Sequence, residues 1–476
     1  MKRHLFRLVL PAVLAAALVT SCTKDWLEPS QNSSIDANRD ITDIAALQGA
    51  LHGVYDLLSD VEYYGRNYII YGELRGDNCG VNGMSGRFVT EGTSDIAETN
   101  VNILGTWVKM YKVVASCNAI IALENANIDG EAADKQSVVG QAYGIRALAH
   151  FDLLKLFGGM HVAGNTDPGI PYVLEFKGTN NKPARTAPEE VKRLLYADLD
   201  KAIAMLDDKP EKVYFSKWAA YAEKARVAQW FEDWAVVKEA TEAVMNSGKY
   251  KIMPKAEYVA SWQKKLNKNS IFEIAYSESD NNGLECLANI YNGGSYGDVV
   301  CTPELRNSFE SSDVRGGVEM IDTNRLLLES SGGSLPYYVA NLGKFTRWQV
   351  GDDNIPVIRY EEVILMRAEA LMHLGDAAGA LEDLNSIANE RGATPYTVAN
   401  LDNILLERQR EFCFEGLRFD DLSRAQKDVP PCSIYKIISK KSPEYGDKLF
   451  SYPVPLRECQ ANPNITQIPG LLCGVR

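Results

Sequence analysis

Residues 360–392 read YEEVILMRAEALMHLGDAAGALEDLNSIANERG. Tyr360, Val363, Ile364, Ala368 and Leu371 recur at helical spacing, Gly375-Asp376 marks a turn, and Ala380, Leu381, Leu384, Ile387 and Ala388 make a second apolar face. The pattern predicts two helices packed back to back, with Ala368 and Ala380 at their closest approach. Ala228 and Ala240 repeat the same spacing around Glu232-Asp233-Trp234. Small residues at such contacts let adjacent helices nest, as in tetratricopeptide hairpins. The fold class this implies is mainly α, a scaffold of tetratricopeptide-like hairpins.

Helical periodicity extends outward from these pairs. From Gln136 to Phe157, Ala142, Ile145, Ala149, Leu153 and Leu156 line one face, and Gly158-Gly159 ends it. Thr186-Ala187-Pro188-Glu189 has the form of a capping box, opening a helix with Val191, Leu194, Leu195, Leu199, Ala202 and Leu206 at core spacing. Helix pairs are thus expected within about 104–159, 186–248, 356–392 and 400–416. Residues 62–105 and 265–350 differ: they are rich in Gly, Asn, Ser and Tyr, with short β-like runs such as Ser270–Tyr276. Insertions of that length are more than connectors and are expected to carry ligand loops. Residues 428–476 are irregular and punctuated by proline.

The chain has 476 residues, 46% hydrophobic and 24% charged, which excludes wholesale disorder. Its net charge of −13 argues against binding to nucleic-acid phosphates and against a polybasic membrane patch. Lys2, Arg3 and Arg7 precede an apolar run from Leu8 to Val19 that is too short to span a bilayer, so residues 1–21 are expected to be a signal peptide. It ends in Val19-Thr20-Ser21-Cys22, which resembles the lipobox of bacterial lipoproteins, with Cys22 as the lipidated residue. Residues 22–40 read as a polar tether and 41–476 as one domain. Removing residues 1–21 takes away three positive charges and no acids, so −13 becomes −16. Of nine cysteines, eight remain beside Cys22; Cys117 and Cys413 fall in helical patterns, while Cys286 with Cys301 and Cys459 with Cys473 could bridge locally.

Catalytic chemistry is scarce. His4, His52, His150, His161 and His373 show no metal-binding spacing, and no phosphate-binding glycine loop occurs, so neither metal nor cofactor is expected. Gly293-Gly294-Ser295-Tyr296-Gly297 fits the nucleophile-elbow pattern. That elbow needs a following helix and a downstream histidine. Pro303 lies just beyond it, and the one later histidine, His373, sits in a repeat helix. Arg75-Gly76-Asp77 spells an adhesion tripeptide with nothing to support it. The charges of 407–411 and 415–421 read as an ion-pair network on a helix surface.

Binding remains. Tyr64, Tyr68, Asp77, Asn78 and Asn82 form one loop cluster, Tyr291, Asn292 and Tyr296 a second, and Tyr338 and Trp348 a third. Flat rings beside amides and carboxylates suit oligosaccharides, whose C–H faces pack on rings while hydroxyls hydrogen-bond to side chains. The same set could hold an extended peptide.

Seven strings occur in order: the lipobox; Leu51-His52-Gly53-Val54-Tyr55-Asp56; Trp107-Val108-Lys109-Met110-Tyr111; the segment Arg146 to Gly159; Gly169-Ile170-Pro171-Tyr172; Ile358 to Ala370; and Glu407 to Leu422, followed by a tail with Pro453-Val454-Pro455 and Asn462-Pro463-Asn464. Together they resemble the SusD/RagB family of outer-membrane nutrient-binding lipoproteins. The tail departs slightly, with Gln467-Ile468-Pro469-Gly470 where the family more often has Gln-Asn-Pro-Gly. The resemblance implies a non-enzymatic lid protein on the cell surface, held to outer-membrane lipid through Cys22. Such proteins capture glycans, or in some branches peptides, for a SusC-like TonB-dependent transporter. A peptide receptor of the RagB kind and a lipid-anchored scaffold without small ligand stay open as alternatives.

Overall fold

The computed structural model describes residues 41–471 apart from Met84, 160–166, Phe176, 178–180, 293–295, 323–339, 342 and 433–440. Cys22 and Tyr338, both singled out in the sequence, therefore lie outside the described residues, as do Ser295 and Cys473. The described residues begin with α1 (Ile44–Ser59), α2 (Asn67–Arg75), β1 (Cys79–Val81), α3 (Val89–Gly92), α4 (Val101–Ile121), α5 (Ala132–Phe157) and α6 (Pro188–Met205). They continue through α7 (Lys217–Trp230), α8 (Trp234–Asn246), α9 (Lys255–Ser261), β2 (Ser270–Ile274), α10 (Leu287–Tyr291), β3 (Val299–Cys301), α11 (Pro303–Ser308), β4 (Ile321–Asp322) and β5 (Ala340–Asn341). The last elements are β6 (Ile355–Arg359), α12 (Tyr360–His373), α13 (Ala377–Arg391), α14 (Leu401–Phe412), α15 (Arg418–Arg424) and α16 (Leu456–Ala461).

Helices α4 through α8 each pack on the next, and α8 packs on α12, which packs on α13. The alanines chosen from the sequence lie in the core: Ala228, Ala368 and Ala380 are fully buried and Ala240 nearly so. Ala368 and Ala380 share one apolar cluster with Ile364, Leu365, Leu384 and Ile387. The turn between α12 and α13 uses Gly375 at φ +86°, and the Asp376 carboxylate accepts from the Gly379 N–H at 3.0 Å to cap α13.

The capping box expected at Thr186 does not form. Ala187 is the cap residue and makes no side-chain bond, while the Thr186 hydroxyl accepts from the Tyr172 N–H at 3.2 Å. Pro188 in the first turn, whose missing N–H costs the helix nothing there, starts α6 without a cap.

Among the described residues there are three two-stranded antiparallel pairs: β1–β3 joins the two long insertions, β4–β5 lies within the second, and β2–β6 ties the second to the helices. β6 runs straight into α12, so β2 is hooked directly onto the repeat hairpin. Helix α2 crosses the turn before α15 so closely that a Cβ at Gly72 would lie 1.8 Å from the Gly416 carbonyl oxygen. Only glycine fits there.

The charge-rich segment 407–421 is not a surface network. Glu407, Arg408, Glu411, Glu415, Arg418 and Asp421 are all buried. Arg391 donates to both Glu411 oxygens at 2.9 Å, Arg359 bonds Glu411 and Glu415 at 2.8–2.9 Å, and Arg315 reaches Glu407 at 2.7 Å. Burial pushes the Glu411 carboxyl up, but Arg391, Arg359 and Arg315 override it and hold it well below the usual carboxylate range. The partners come from β6, α13 and the loop after α11, so the segment's own sequence could not show that it is enclosed.

His150 is a packing residue. Its Nδ1 lies 3.0 Å from the Arg146 carbonyl and its Nε2 accepts from the Val173 N–H at 3.0 Å, which fits a neutral ring. Burial and nearby Arg146 push its pKa well below the ordinary value. Cys117, Cys286, Cys301 and Cys413 are buried free thiols, so the local Cys286–Cys301 bridge is absent: Cys301 instead faces Cys79 across the β1–β3 pair. Cys459 is disulfide-bonded.

Candidate functional site

The first loop cluster turns inward. Tyr63, Tyr64 and Tyr68 donate their hydroxyls to the single carboxylate of Asp152, at 2.6, 2.8 and 2.6 Å. Lys155 adds ion pairs to Asp152 and Asp420, both at 3.1 Å. Burial first, then the Asp152 charge, drives the three phenol pKa values well above the ordinary one. Asp77 is buried against Arg418, and Asn78 donates to Glu73 at 2.9 Å while accepting from Gln409 at 2.9 Å. Asn82 is buried too, donating to the Gly297 carbonyl at 2.7 Å. Arg75, the first residue of the adhesion-like tripeptide, is sandwiched between Phe419 and Tyr452 at 3.8 and 4.3 Å from their ring centroids.

The sequence placed these tyrosines and amides at a ligand face because they sit in a loop-like, glycine-rich stretch. The structure instead gives their polar atoms intramolecular partners, which removes the exposure that reasoning assumed. Tyr291 and Asn292 are likewise buried, Tyr291 stacking on Phe345 with centroids 6.2 Å apart.

Two of the chosen rings remain half-buried at the surface, Tyr296 and Trp348. Asn289, fully buried in α10, holds both of their loops. Its carbonyl accepts from the Gly297 N–H at 3.0 Å, and its side-chain amide donates to the Trp348 carbonyl at 3.0 Å. Beside them stands a chain of ion pairs absent from the sequence reading. Arg87 bonds Glu285 at 3.1 Å and Asp298 at 3.0 Å, with its guanidinium 4.2 Å from the Tyr296 ring centroid. Arg66 pairs with the other Glu285 oxygen, and Ser85 donates to Asp298 at 2.6 Å. On the Trp348 loop, Arg347 pairs with Asp352 at 2.5 Å, and Lys265 reaches the same carboxylate at 3.0 Å. Arg347 and Lys265 hold Asp352 below the usual carboxylate range, while burial pushes neighbouring Asp353 up to about 6. Leu284, in the turn before α10, and Val350, on the Trp348 loop, add exposed apolar surface.

This face joins rings, apolar side chains and amides, the chemistry of weak multipoint capture. Its thiol, Cys286, is buried, and burial raises its pKa away from thiolate formation. His373, the one histidine after the elbow-like string, stacks on Trp234 with centroids 4.0 Å apart. Among the described residues, no group of three or more His, Cys, Asp or Glu side chains is placed to hold a metal ion, and no helix is long and apolar enough to cross a membrane. Sequence reading also missed a cleft of about 300 Å³ beside α4, lined by Trp107, Tyr111, Lys112, Pro171, Val173 and Glu458.

The chain matches the family model described as the SusD family over residues 338–471, and that described as "Starch-binding associating with outer membrane" over residues 25–228. It is 24% identical over 436 residues to SusD-like protein P2 of Formosa agariphila, covering 80% of this chain and 83% of that one. A SusD superfamily crystal structure from Bacteroides thetaiotaomicron superposes with TM-score 0.82 at 26% identity, over 90% of this chain and all of the other. Another from Bacteroides vulgatus shares the fold with TM-score 0.83 at 24% identity and the same coverage. With the helical hairpins, the strand-pinned insertions and matched segments at both ends, the chain belongs to the SusD/RagB family.

Proposed function

We propose that this protein captures oligosaccharides at the outer membrane on the loop face around Tyr296 and Trp348. The observation that carries this reading is the pinning of both loops by Asn289, which presents two half-buried rings on a rigid support. Sugar C–H faces would pack on those rings, and the part-exposed carboxylates of Glu278 and Glu285 would meet the hydroxyls. The family description, starch-binding and associated with the outer membrane, supports the ligand class. The lipobox-like end at Cys22 supports lipid anchoring at the cell surface, and the family resemblance supports a TonB-dependent transporter as the partner that takes the ligand onward. The protein acts by binding, without catalysis.

Glycan-array binding to the detergent-solubilised full chain tests the reading, with a peptide library as the competing arm. Tyr296→Ala and Trp348→Ala are each expected to weaken glycan affinity about tenfold, the loss of one stacked ring. Unchanged affinity in both variants would remove the site; a variant at Tyr111 would then ask whether the α4 cleft holds the ligand. Binding of peptides and no glycan would overturn the ligand class.

A further inference from the structure

The charges beside Tyr296 and Trp348 point to a property that the family match does not specify. An anionic sugar, a uronate or a sulfate ester, is normally held by a guanidinium or ammonium with donors to spare. Here, among the described residues, four of five cations are already engaged, the fifth being Lys264, exposed at the rim beside Lys265. Arg66 is paired with Glu285 and donates through Nε to Asn67 at 2.9 Å. Arg87 divides its donors between Glu285 and Asp298 and lays its face on Tyr296. Arg347 grips Asp352 through Nε and Nη2, at 2.5 and 3.1 Å, with Glu278 3.8 Å away. Lys265 bonds Asp352 and the Tyr276 carbonyl, both at 3.0 Å.

The balance of charge is negative as well. Among the described residues, against the five cations Arg66, Arg87, Lys264, Lys265 and Arg347 stand six carboxylates, Glu278, Asp280, Glu285, Asp298, Asp352 and Asp353, a net of −1. The geometry also sets which sign faces solvent: the Glu278 side chain is 81% exposed and Glu285 43%, whereas Arg347 is 39%, Lys265 33%, Arg87 26% and Arg66 10% exposed, with Asp298 and Asp352 buried beneath them. The most exposed of these paired charges are the carboxylates of Glu278 and Glu285.

The geometry points to a charge filter: this face accepts uncharged or amine-bearing oligosaccharides and rejects those carrying carboxylate or sulfate. The inference rests on the oligosaccharide reading above and adds the sign of the ligand's charge. Glu285 is its pivot, because it neutralises two arginines at once and is itself part-exposed.

The test measures affinity of the full chain in detergent for chain-length-matched probes: neutral maltohexaose and cellohexaose, fully de-N-acetylated chitohexaose, and hexagalacturonate as free acid and as methyl ester. Expected is an order of amine-bearing above neutral above acidic, with the free acid about fivefold or more weaker than its ester at low salt. That gap is expected to close in roughly 0.5 M salt, where the screening length falls to a few Å. Glu285→Gln and, separately, the more exposed Glu278→Gln should raise the ratio of acidic to neutral affinity about fivefold for the first and less for the second. Tighter binding of the free acid than of its ester, or an unmoved ratio in Glu285→Gln, would overturn the filter while leaving oligosaccharide capture intact. Binding of no probe and no array glycan would overturn the capture reading and the filter with it.

Discussion

Arg418 holds Asp77 through both carboxylate oxygens, at 2.5 and 3.0 Å, across 341 residues of chain. Both side chains are buried, so the pair joins the first insertion to α15 with little water to screen it. Removing one partner leaves a buried charge unmatched, a loss of about 3–5 kcal/mol. Arg418→Met or Asp77→Leu should therefore lower the unfolding free energy by that order in urea denaturation. The double variant should fall by clearly less than the sum of the two.

Asp152 accepts three phenol hydroxyls and a lysine. Asp152→Ala leaves Lys155 with Asp420 alone and strands three buried donors, so it should destabilise by at least about 3 kcal/mol. Tyr64→Phe removes one neutral donor from an acceptor that keeps others and should cost only about 1 kcal/mol. Equal losses in the two variants, measured by thermal unfolding, would contradict the convergence of the three phenols on Asp152.

Burial pushes the carboxyls of Glu73 and Glu223 up to about 7. Each therefore binds its proton more tightly folded than unfolded, where the value is near 4.5. The sign follows from linkage: between about pH 4.5 and 7 the folded state carries more protons, so this contribution falls as pH rises through the window. Glu411 and Asp421, whose arginine partners hold them below their ordinary values, act the other way and lose their contribution in acid. Glu223→Gln should flatten the decline in stability between pH 5 and 7 by roughly 3 kcal/mol or less. Urea midpoints across that range provide the measurement.

Asn289 touches the Tyr296 and Trp348 loops through hydrogen bonds and is fully buried. Asn289→Ala keeps the backbone bond to Gly297 and deletes the amide bond to Trp348. Ligand affinity should fall about tenfold even though the residue meets no ligand, because the Trp348 ring loses its support. Calorimetric titration with the best array glycan checks this, and Asn289→Gln should not restore it, since the longer side chain displaces the amide.

Gly72→Ala would drive a methyl group into the Gly416 carbonyl. The clash is with backbone, so α2 and the α14–α15 turn must separate, at a cost of about 3 kcal/mol or more. Lower yield of folded protein and a reduced melting temperature are expected.

The helical hairpins were legible because their cause is local. Ala368, Ala380, Leu384 and Ile387 sit within one short stretch, and a 3.6-residue period alone places them on facing surfaces. The same holds for the turn at Gly375-Asp376. The candidate site was legible only in part. Tyr296 and Trp348 kept the half-exposed character that the loop composition suggested, whereas Tyr64, Tyr68, Asp77 and Asn78 did not. Asp152 lies 84–89 residues from the tyrosines it anchors, and Arg418 lies far from Asp77. No window of sequence contains both halves of either bond.

Sequence by itself determined the mainly helical hairpin architecture and the family, because apolar periodicity and short ordered strings act over a few turns of chain. Tertiary structure alone decided which polar residues face solvent. A tyrosine or a carboxylate in a glycine-rich loop carries the same local signal whether it waits for a sugar or bonds a distant partner. Burial follows from whether that partner exists, and here Asp152, Arg359, Arg391 and Arg418 supply it.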